Sequence, residues 1–424
     1  MEPIAIISHG GLFPEANNPE DFFKGLVDGK SSIKNLKTDI KANDLINEFA
    51  PYWEVENSTD EALLNMNTTY SYFGSFINRN ELKKIATKHN INLDHHTSTE
   101  VIALEAAYQN FELLKSKINF EKTDVILGCT SADNEYINRL QERILLEKAD
   151  LNPDDPAFIQ IKNQLLKLNV PTEKYNIATS LLNIIQKKYN TQGLHTLVDA
   201  ACASSLAAIH TAQNRLRSGQ ADFVLSGGID INLAPFFLVM FSKLGVLAPF
   251  KMKPFNYNSK GMNPGEAAAM VLLCRLETAK KLNLPILGII KNCDGSSDGS
   301  KGSATEPTEA GQILAYSRTI SEEDLENVDY IESHGTGTVI GDRTEFGSLN
   351  RFYAKNKKAY IGTVKNNVGH TIGAAGTVSL IKSLHILKTQ IIPPHIDFEK
   401  LPSGIFNQFL INTEAVKNQK FVIL

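Results

Sequence analysis

Three residues of this chain combine one thiol with two imidazoles: Cys202, His334 and His370. Each lies in a turn of small residues that follows a short apolar run typical of a strand. A cysteine thiolate can attack an acyl carbonyl and hold the acyl group as a thioester. Imidazole N–H groups can stabilise an oxygen that becomes negative during the reaction. The residue types therefore point to acyl-transfer chemistry.

Cys202 lies between a strand predicted at 194–198 and an alanine-rich helix predicted at 202–217. A thiol at a helix N-terminus faces unpaired backbone N–H groups and the positive end of the helix dipole. Because both favour the thiolate, we expect a lowered pKa for this thiol. The alternative is a buried structural cysteine, which is the commoner role of a lone cysteine in an apolar segment.

The two histidines follow the strands predicted at 328–331 and 359–364. A solvated loop histidine would explain either residue alone, but three such residues on separate strand-to-turn corners favour a shared reaction site. Lys365 and Glu345 stand near these histidines in the sequence. They would form either an exposed charge pair of small energetic value or a buried pair that orients the histidine loops.

The composition excludes several classes of protein. The chain has 424 residues, enough for two units with their own cores, and a net charge of −4 gives no case for nucleic-acid binding. No apolar run approaches the roughly 20 residues that span a bilayer. Four cysteines scattered along so long a chain are typical of a reducing compartment, and we expect a cytoplasmic protein.

His95 and His96 are a candidate metal pair. They lack acidic or cysteine partners at a useful spacing, and the cysteines lack metal-ligand spacing, so we expect no metal site.

From residue 194 onward, predicted strands alternate with predicted helices, which is typical of α/β layers. They include a strand at 222–225 that ends in a turn at Gly227-Gly228, and a helix at 309–319. A short buried strand is predicted earlier, at 124–127. The stretch 134–190 is predicted to form helices that cover a core. The strand, small-residue turn and helix around Cys202 are repeated around His370, which suggests two similar units that meet at one site. We place the first unit at 1–250 and the second at 251–424.

Several stretches, taken together, resemble the signature sequences of the β-ketoacyl-acyl-carrier-protein synthases. In order, they are VDAACASSLAAIHTA, FVLSGGIDI, PFNYNSKGMNPGEAAAMVLLCRLETA, SSDG, ESHGTGTVIGD and KNNVGHTIGAAG. The similarity runs from about residue 3 to about residue 397. It is nearest to the ketosynthase domains of polyketide and polyunsaturated-fatty-acid synthases.

This resemblance implies the thiolase-like α/β fold, with two similar halves in a five-layer α-β-α-β-α sandwich. It also implies a homodimer, or a heterodimer with a ketosynthase-like subunit. Cys202 would accept the acyl chain from acyl carrier protein, and His334 and His370 would assist loss of CO₂ from the malonyl thioester and stabilise the enolate.

The remaining implied roles concern substrate binding and support. Thr336 and Thr338 resemble the threonines that bind the phosphopantetheine arm of acyl carrier protein. That arm is a substrate carrier, and no permanently bound cofactor is implied. Lys365 and Glu345 match the supporting charged residues of the family.

One departure concerns the oxyanion hole. Members of the family carry a Phe-Gly-Gly-Thr-Asn loop that completes the oxyanion hole and gates the acyl pocket, and the given sequence, which closes with FNQFLINTEAVKNQKFVIL, does not contain it. Loss of one oxyanion donor would cost a few kcal/mol of transition-state stabilisation.

The preferred interpretation is a decarboxylating condensing enzyme of fatty acid or polyketide synthesis. The alternative is a non-elongating partner subunit that binds acyl carrier protein, and the presence of Cys202 argues against it. A thiolase would need a second catalytic cysteine, and neither Cys274 nor Cys293 lies in a late glycine-rich motif.

Overall fold

The computed structural model describes residues 2–38, 69–93, 96–130, 179–231, 235–299, 306–353, 359–405 and 408–417. The described strands are β1 (Ile4–Leu12), β2 (Lys34–Asn35), β3 (Phe73–Gly74), β4 (Thr123–Gly128), β5 (His195–Val198), β6 (Phe223–Asp230), β7 (Ala267–Arg275), β8 (Gly288–Ile290), β9 (Tyr330–Glu332), β10 (Tyr360–Gly362), β11 (Ile391–Ile392) and β12 (Val416–Lys417). The described helices are α1 (Pro19–Val27), α2 (Arg79–His89), α3 (Ser98–Phe111), α4 (Ser180–Tyr189), α5 (Ser204–Arg217), α6 (Pro235–Lys243), α7 (Leu276–Lys281), α8 (Glu309–Thr319), α9 (Glu322–Leu325), α10 (Val339–Phe352), α11 (Lys365–Val368) and α12 (Ala375–Thr389). None of these helices is long and apolar enough to cross a membrane.

The main sheet has the strand order β5-β4-β6-β7-β1-β8. Strands β5, β4 and β6 run parallel, whereas β7 is antiparallel to both β6 and β1. Gly128 of β4 is paired with Gly228 of β6. The parallel strands therefore finish at one edge of the sheet, where the connections that follow them meet.

Apolar side chains alternate along the central strands and build a core on each face of the main sheet. In β6, Phe223 and Leu225 pack in the core that contains α3 and α4, while Val224 packs in the core that contains α5 and α12. This alternation is the period of two that a strand buried on both faces requires.

A second sheet, β9 paired in parallel with β10, lies beyond α12. Tyr330 of β9 belongs to the core shared with α5 and α12, whereas Ile331 packs with Phe346 and Leu349 of α10. The described layers thus run helix, sheet, helix, sheet, helix. This is the five-layer α/β order predicted from the sequence.

The structure corrects one prediction, at the glycine pair Gly227-Gly228. The sequence predicts a turn there between two short strands, but β6 continues unbroken from Phe223 to Asp230. A Cβ atom on Gly228 would lie 2.4 Å from the carbonyl oxygen of Gly373. A glycine within a strand can mark the close approach of another backbone, and it does so here.

Two other predictions concern organisation. Most of the helices predicted at 134–190 lie outside the described residues, and α4 is the described part. The division of the chain at residue 250 stays a prediction. Strands β7 and β8 lie in the same sheet as the strands before residue 250, and β9 and β10 form the separate pair.

Candidate active site

Cys202 lies in a tight turn between β5 and α5. The preceding residue, Ala201, has a φ of 49°, in the left-handed region that residues other than glycine seldom adopt. The Ser204 hydroxyl braces this turn, since it accepts a hydrogen bond from the Ala200 N–H (2.9 Å) and donates one to the Ala201 carbonyl (2.6 Å). The position of the thiol is therefore set by hydrogen-bonded backbone.

Two glycines let this turn approach the main sheet. A Cβ atom on Gly128 would lie 2.4 Å from backbone atoms of Ser204, just after the Cys202 turn. A Cβ atom on Gly228 would meet Gly373, in the turn that follows His370. The paired glycines at this sheet edge thus make room for both the thiol turn and a histidine turn.

The structure brings Cys202, His334 and His370 together. The Cys202 Sγ lies 3.1 Å from the His370 Nε2, and the two imidazole centroids are 5.2 Å apart. One ligand-capable atom from each of the three side chains lies within 4.8 Å of the other two. His370 is buried, Cys202 is half-buried and His334 is exposed, so the cluster is open to solvent at His334.

The backbone fixes which nitrogen of His370 carries the proton. The Ile372 N–H donates to Nδ1 at 3.1 Å, so Nδ1 holds a lone pair. Burial, helped by the charge of Lys365, lowers the pKa of His370 well below its usual value and keeps the ring neutral near pH 7. Nε2 therefore carries the hydrogen, and His370 is a hydrogen-bond donor towards Cys202 rather than a base.

Glu345 of α10 holds the turn that carries His334. Its buried carboxylate accepts hydrogen bonds from the backbone N–H groups of His334 (2.6 Å) and Gly335 (2.7 Å). Burial raises the pKa of Glu345, while these two bonds and the charge of Lys365 act in the opposite direction. The alternative of an exposed charge pair is wrong, because Glu345 and Lys365 are both buried.

His334 is also neutral near pH 7. Partial loss of hydration, and next the charge of Lys365, lower the pKa of His334. Because the residue is exposed at the surface, hydration moderates this shift, but its direction leaves the imidazole with one N–H donor and one lone pair.

The thiol pKa differs from the sequence-based prediction. Burial is the largest influence and raises the pKa of Cys202, and the Asp230 carboxylate acts in the same direction. The positive charge of Lys365 and a backbone hydrogen bond lower it but do not prevail. The prediction of a lowered pKa is wrong, because the half-buried sulfur loses hydration that a thiolate needs.

The hydroxyls of Thr336 and Thr338 lie 3.0 Å apart in the turn after His334. Thr338 caps α10, because its hydroxyl accepts a hydrogen bond from the Gly341 N–H at 3.2 Å. Both threonines lie close to His334 in the chain, and binding of the phosphopantetheine arm by them stays a prediction.

Two buried carboxylates support the site without having been predicted as site residues. Asp230, at the end of β6, accepts hydrogen bonds from the Thr130 hydroxyl and from the Gly373 N–H (2.5 Å), and so attaches the turn after His370 to the sheet. Asp342 accepts bonds from the Phe255 and Gly337 N–H groups, and burial raises its pKa to about 7. The sequence signal that could have identified Asp230 as a site residue is its position at the end of the buried strand β6.

The sequence predicts no metal site at His95 and His96. His95 lies outside the described residues. The ring of His96 lies 3.2 Å from the Glu100 carboxylate. All four cysteines lie in the described part of the chain and are free thiols.

Comparison with known proteins identifies the family. The family model of the β-ketoacyl synthase N-terminal domain matches residues 1–279, and that of the C-terminal domain matches residues 287–399. A phenolphthiocerol/phthiocerol polyketide synthase of Mycobacterium tuberculosis is 30% identical over 414 residues, which are 94% of this chain and 17% of that protein. The highly reducing polyketide synthase cnsI of Penicillium expansum is 32% identical over 325 residues, covering 72% of this chain and 12% of that protein. The chain therefore spans less than a fifth of the length of these relatives.

Solved structures show the same fold. The oxazolomycin ketosynthase domain of Streptomyces albus superposes with a TM-score of 0.78 at 19% identity, over 98% of this chain and 68% of that one. The ketosynthase from module 6 of the bacillaene synthase of Bacillus subtilis gives a TM-score of 0.75 at 24% identity, over 99% and 68%. These neighbours have the thiolase-like fold, and the five described layers agree with it. With both domain models matched across most of its length, the chain belongs to the β-ketoacyl synthase family.

Proposed function

We propose that this chain catalyses the decarboxylative Claisen condensation of a Cys202-bound acyl group with a malonyl thioester, in fatty acid or polyketide synthesis. The observation that carries the proposal is the contact of 3.1 Å between the Cys202 Sγ and the His370 Nε2, with His334 beside both. This places one nucleophile and two neutral imidazoles at a single solvent-accessible point.

The first half-reaction loads the enzyme. The Cys202 sulfur attacks the carbonyl carbon of an acyl thioester, the C–S bond to the carrier breaks, and the Cys202 proton leaves with the carrier thiolate as a thiol. Because the resting pKa of Cys202 is raised, the sulfur reacts from the thiol state and needs help as charge develops. The His370 N–H and the positive field of Lys365 supply that help.

The second half-reaction forms the carbon–carbon bond. The malonyl thioester loses CO₂, and the electron pair left behind forms an enolate whose oxygen accepts hydrogen bonds from the neutral imidazoles of His334 and His370. The enolate carbon attacks the acyl carbonyl on Cys202. The C–S bond then breaks, the 3-ketoacyl thioester departs, and the Cys202 thiolate regains a proton from solvent. The covalent intermediate divides one difficult step into two easier ones.

The proposal includes acyl carrier protein as partner and its phosphopantetheine arm as substrate carrier, with no permanently bound cofactor. The adjacent hydroxyls of Thr336 and Thr338, in the same turn as His334, are suitable donors and acceptors for the amides of such an arm. A cytoplasmic location also belongs to the proposal and rests on the scarcity of cysteine.

A homodimer, or a heterodimer with a ketosynthase-like subunit, is part of the same proposal. Strand β5 lies at the edge of the main sheet as described, with its residues half-buried. Leu194 and Leu206, just before β5 and within α5, are 41% and 45% exposed. An open strand edge flanked by exposed leucines supports pairing with a second subunit.

The test follows the two half-reactions separately. The protein is incubated with an acyl-carrier-protein thioester and examined by intact mass, and malonyl-carrier protein is then added and the 3-ketoacyl product is measured. The proposal predicts both products for the wild type and neither for Cys202→Ala. His334→Ala should reduce decarboxylation more than acylation, and equal losses would contradict its assigned role.

The alternative is a partner subunit that binds acyl carrier protein without extending the chain. A wild-type protein that binds the carrier but acquires no acyl mass would replace the condensing proposal with this one. Acylation without a ketoacyl product would locate the defect in the second half-reaction.

A further inference from the structure

A second cluster of metal-ligating side chains lies apart from the thiol and consists of His9, Glu20 and His385. One ligand-capable atom from each residue lies within 4.8 Å of the other two. The residues come from β1, α1 and α12, so the cluster depends on tertiary packing and not on a short sequence motif. Two imidazoles and one carboxylate are a ligand set suited to Zn²⁺ and neighbouring divalent transition metals.

The second observation is an unsatisfied nitrogen on His385. This residue is 3% exposed, and its Nε2 is buried without a hydrogen-bond partner among the described residues. A buried polar atom that has neither water nor a protein partner is destabilising, and native structures rarely keep one without reason. An ion bound through Nε2 would give this nitrogen the partner that it lacks.

Ring packing holds the histidines in place. The His385 ring lies 4.9 Å from that of His9 and stacks on Phe23 with centroids 5.1 Å apart. The imidazoles are therefore held in position by ring contacts with each other and with Phe23.

The charge balance also permits a cation. Glu20 is exposed, and the Lys388 ammonium lies 3.9 Å from its carboxylate. The Lys388 side chain is itself 59% exposed and can turn into solvent when a competing cation binds. Solvent reaches the cluster from the Glu20 side, which gives an ion a path of entry and allows water to complete its coordination.

We propose that His9, Glu20 and His385 bind one divalent transition-metal ion, with Zn²⁺ as the preferred species. The ion links β1 and α1, near the start of the chain, to α12, the helix that follows His370. Its role is structural, since it would fasten these three elements together independently of acyl transfer.

The experiment titrates Co²⁺, as a visible-absorption probe, and Zn²⁺, by calorimetry, into the full chain carrying Cys202→Ala. That background removes the only other described group of three metal-ligating residues, which contains Cys202. The proposal predicts one ion per chain and a rise in Tm on addition of Zn²⁺. His385→Phe, which keeps the stacked ring, and Glu20→Gln, at an exposed position, should each weaken binding by about tenfold or more.

The matched control is Glu326→Gln, which neutralises an exposed carboxylate outside the cluster and should leave binding unchanged. Absence of a bound ion in the Cys202→Ala protein would overturn the proposal. Binding that survives unchanged in both His385→Phe and Glu20→Gln would also overturn it, and the histidines would then be a ring stack only. Since the readout is binding and Tm, the result is independent of whether the chain condenses acyl groups.

Discussion

Replacing Gly228 by alanine puts a methyl group between β6 and the turn that follows His370. The new Cβ would lie 2.4 Å from the Gly373 carbonyl oxygen, 2.7 Å from the Ser205 Cβ and 2.9 Å from the Ala374 Cα. The φ of Gly228 lies outside the left-handed region, so alanine meets no backbone strain and the effect is steric.

The size of the effect follows from these contacts. An ordinary contact begins at 3.4 Å, so the turn must retreat by about 1 Å from the sheet. This turn and the Cys202 turn pack against the same strand ends, and the retreat would lengthen the contact between the His370 Nε2 and the Cys202 Sγ. A misplacement of about 1 Å can reduce a rate about 100-fold, and overpacking of this kind costs about 1–3 kcal/mol of stability.

The assay compares urea unfolding and the rate of Cys202 acylation by an acyl thioester, with rates expressed per folded molecule. The control is Gly25→Ala in α1, where an added Cβ meets nothing within 4 Å. Alanine there should add up to about 1 kcal/mol of stability and leave acylation unchanged. If folded Gly228→Ala is acylated as fast as Gly25→Ala, the close packing of the two turns does not position the reacting groups.

Three further predictions concern buried titratable side chains, namely Glu345, Lys365 and His395. Glu345→Ala leaves the His334 and Gly335 N–H groups unpaired and should lower the free energy of unfolding by about 3 kcal/mol, with partial recovery in Glu345→Gln; equal stability of the two variants in urea would contradict this role. Lys365→Met removes the charge that lowers the pKa of Cys202, so the pH profile of Cys202 alkylation should move to higher pH, whereas the exposed Lys84→Met should not move it; an unmoved profile in Lys365→Met would refute the coupling. Burial lowers the pKa of His395 from 6.5 to about 4, so the unfolded state binds the proton first and stability falls as the pH drops through this window. The loss from this one residue is roughly 3 kcal/mol. His395→Gln, which can still donate to the Pro254 carbonyl, should flatten that fall in urea unfolding measured from pH 7 to pH 4.5, and an unchanged slope would count against the assignment.

Local patterns predicted the elements that position the site. The helix Glu309–Thr319 has the bounds expected from its sequence, and β4 and β5 lie where short apolar runs predicted them. Strand runs and small-residue turns are short-range signals that the chain displays directly. His334 and His370 follow the parallel pair β9 and β10, so their proximity could be expected from the sequence. Cys202 follows β5 of the main sheet, and its contact with His370 depends on how the two sheets pack.

Electrostatics could not be predicted in the same way. The raised pKa of Cys202 depends on its burial and on Asp230 and Lys365, which reach it only through the fold. The strand through Gly227-Gly228 was missed for a related reason: an adjacent glycine pair is a common turn signal, and the backbone that requires these glycines comes from residue 373. The cluster of His9, Glu20 and His385 likewise has no local signal, because His385 lies far along the chain from the other two residues.

The most direct test of the central claim locates the acyl group. The wild-type protein and Cys202→Ala are each incubated with an acyl thioester, digested and analysed by peptide mass spectrometry. The proposed mechanism predicts that the wild type gains one acyl group on the peptide containing Cys202 and that the variant gains none. An acyl group on another residue, or a wild-type Cys202 that stays free while the substrate is intact and the protein folded, would contradict it.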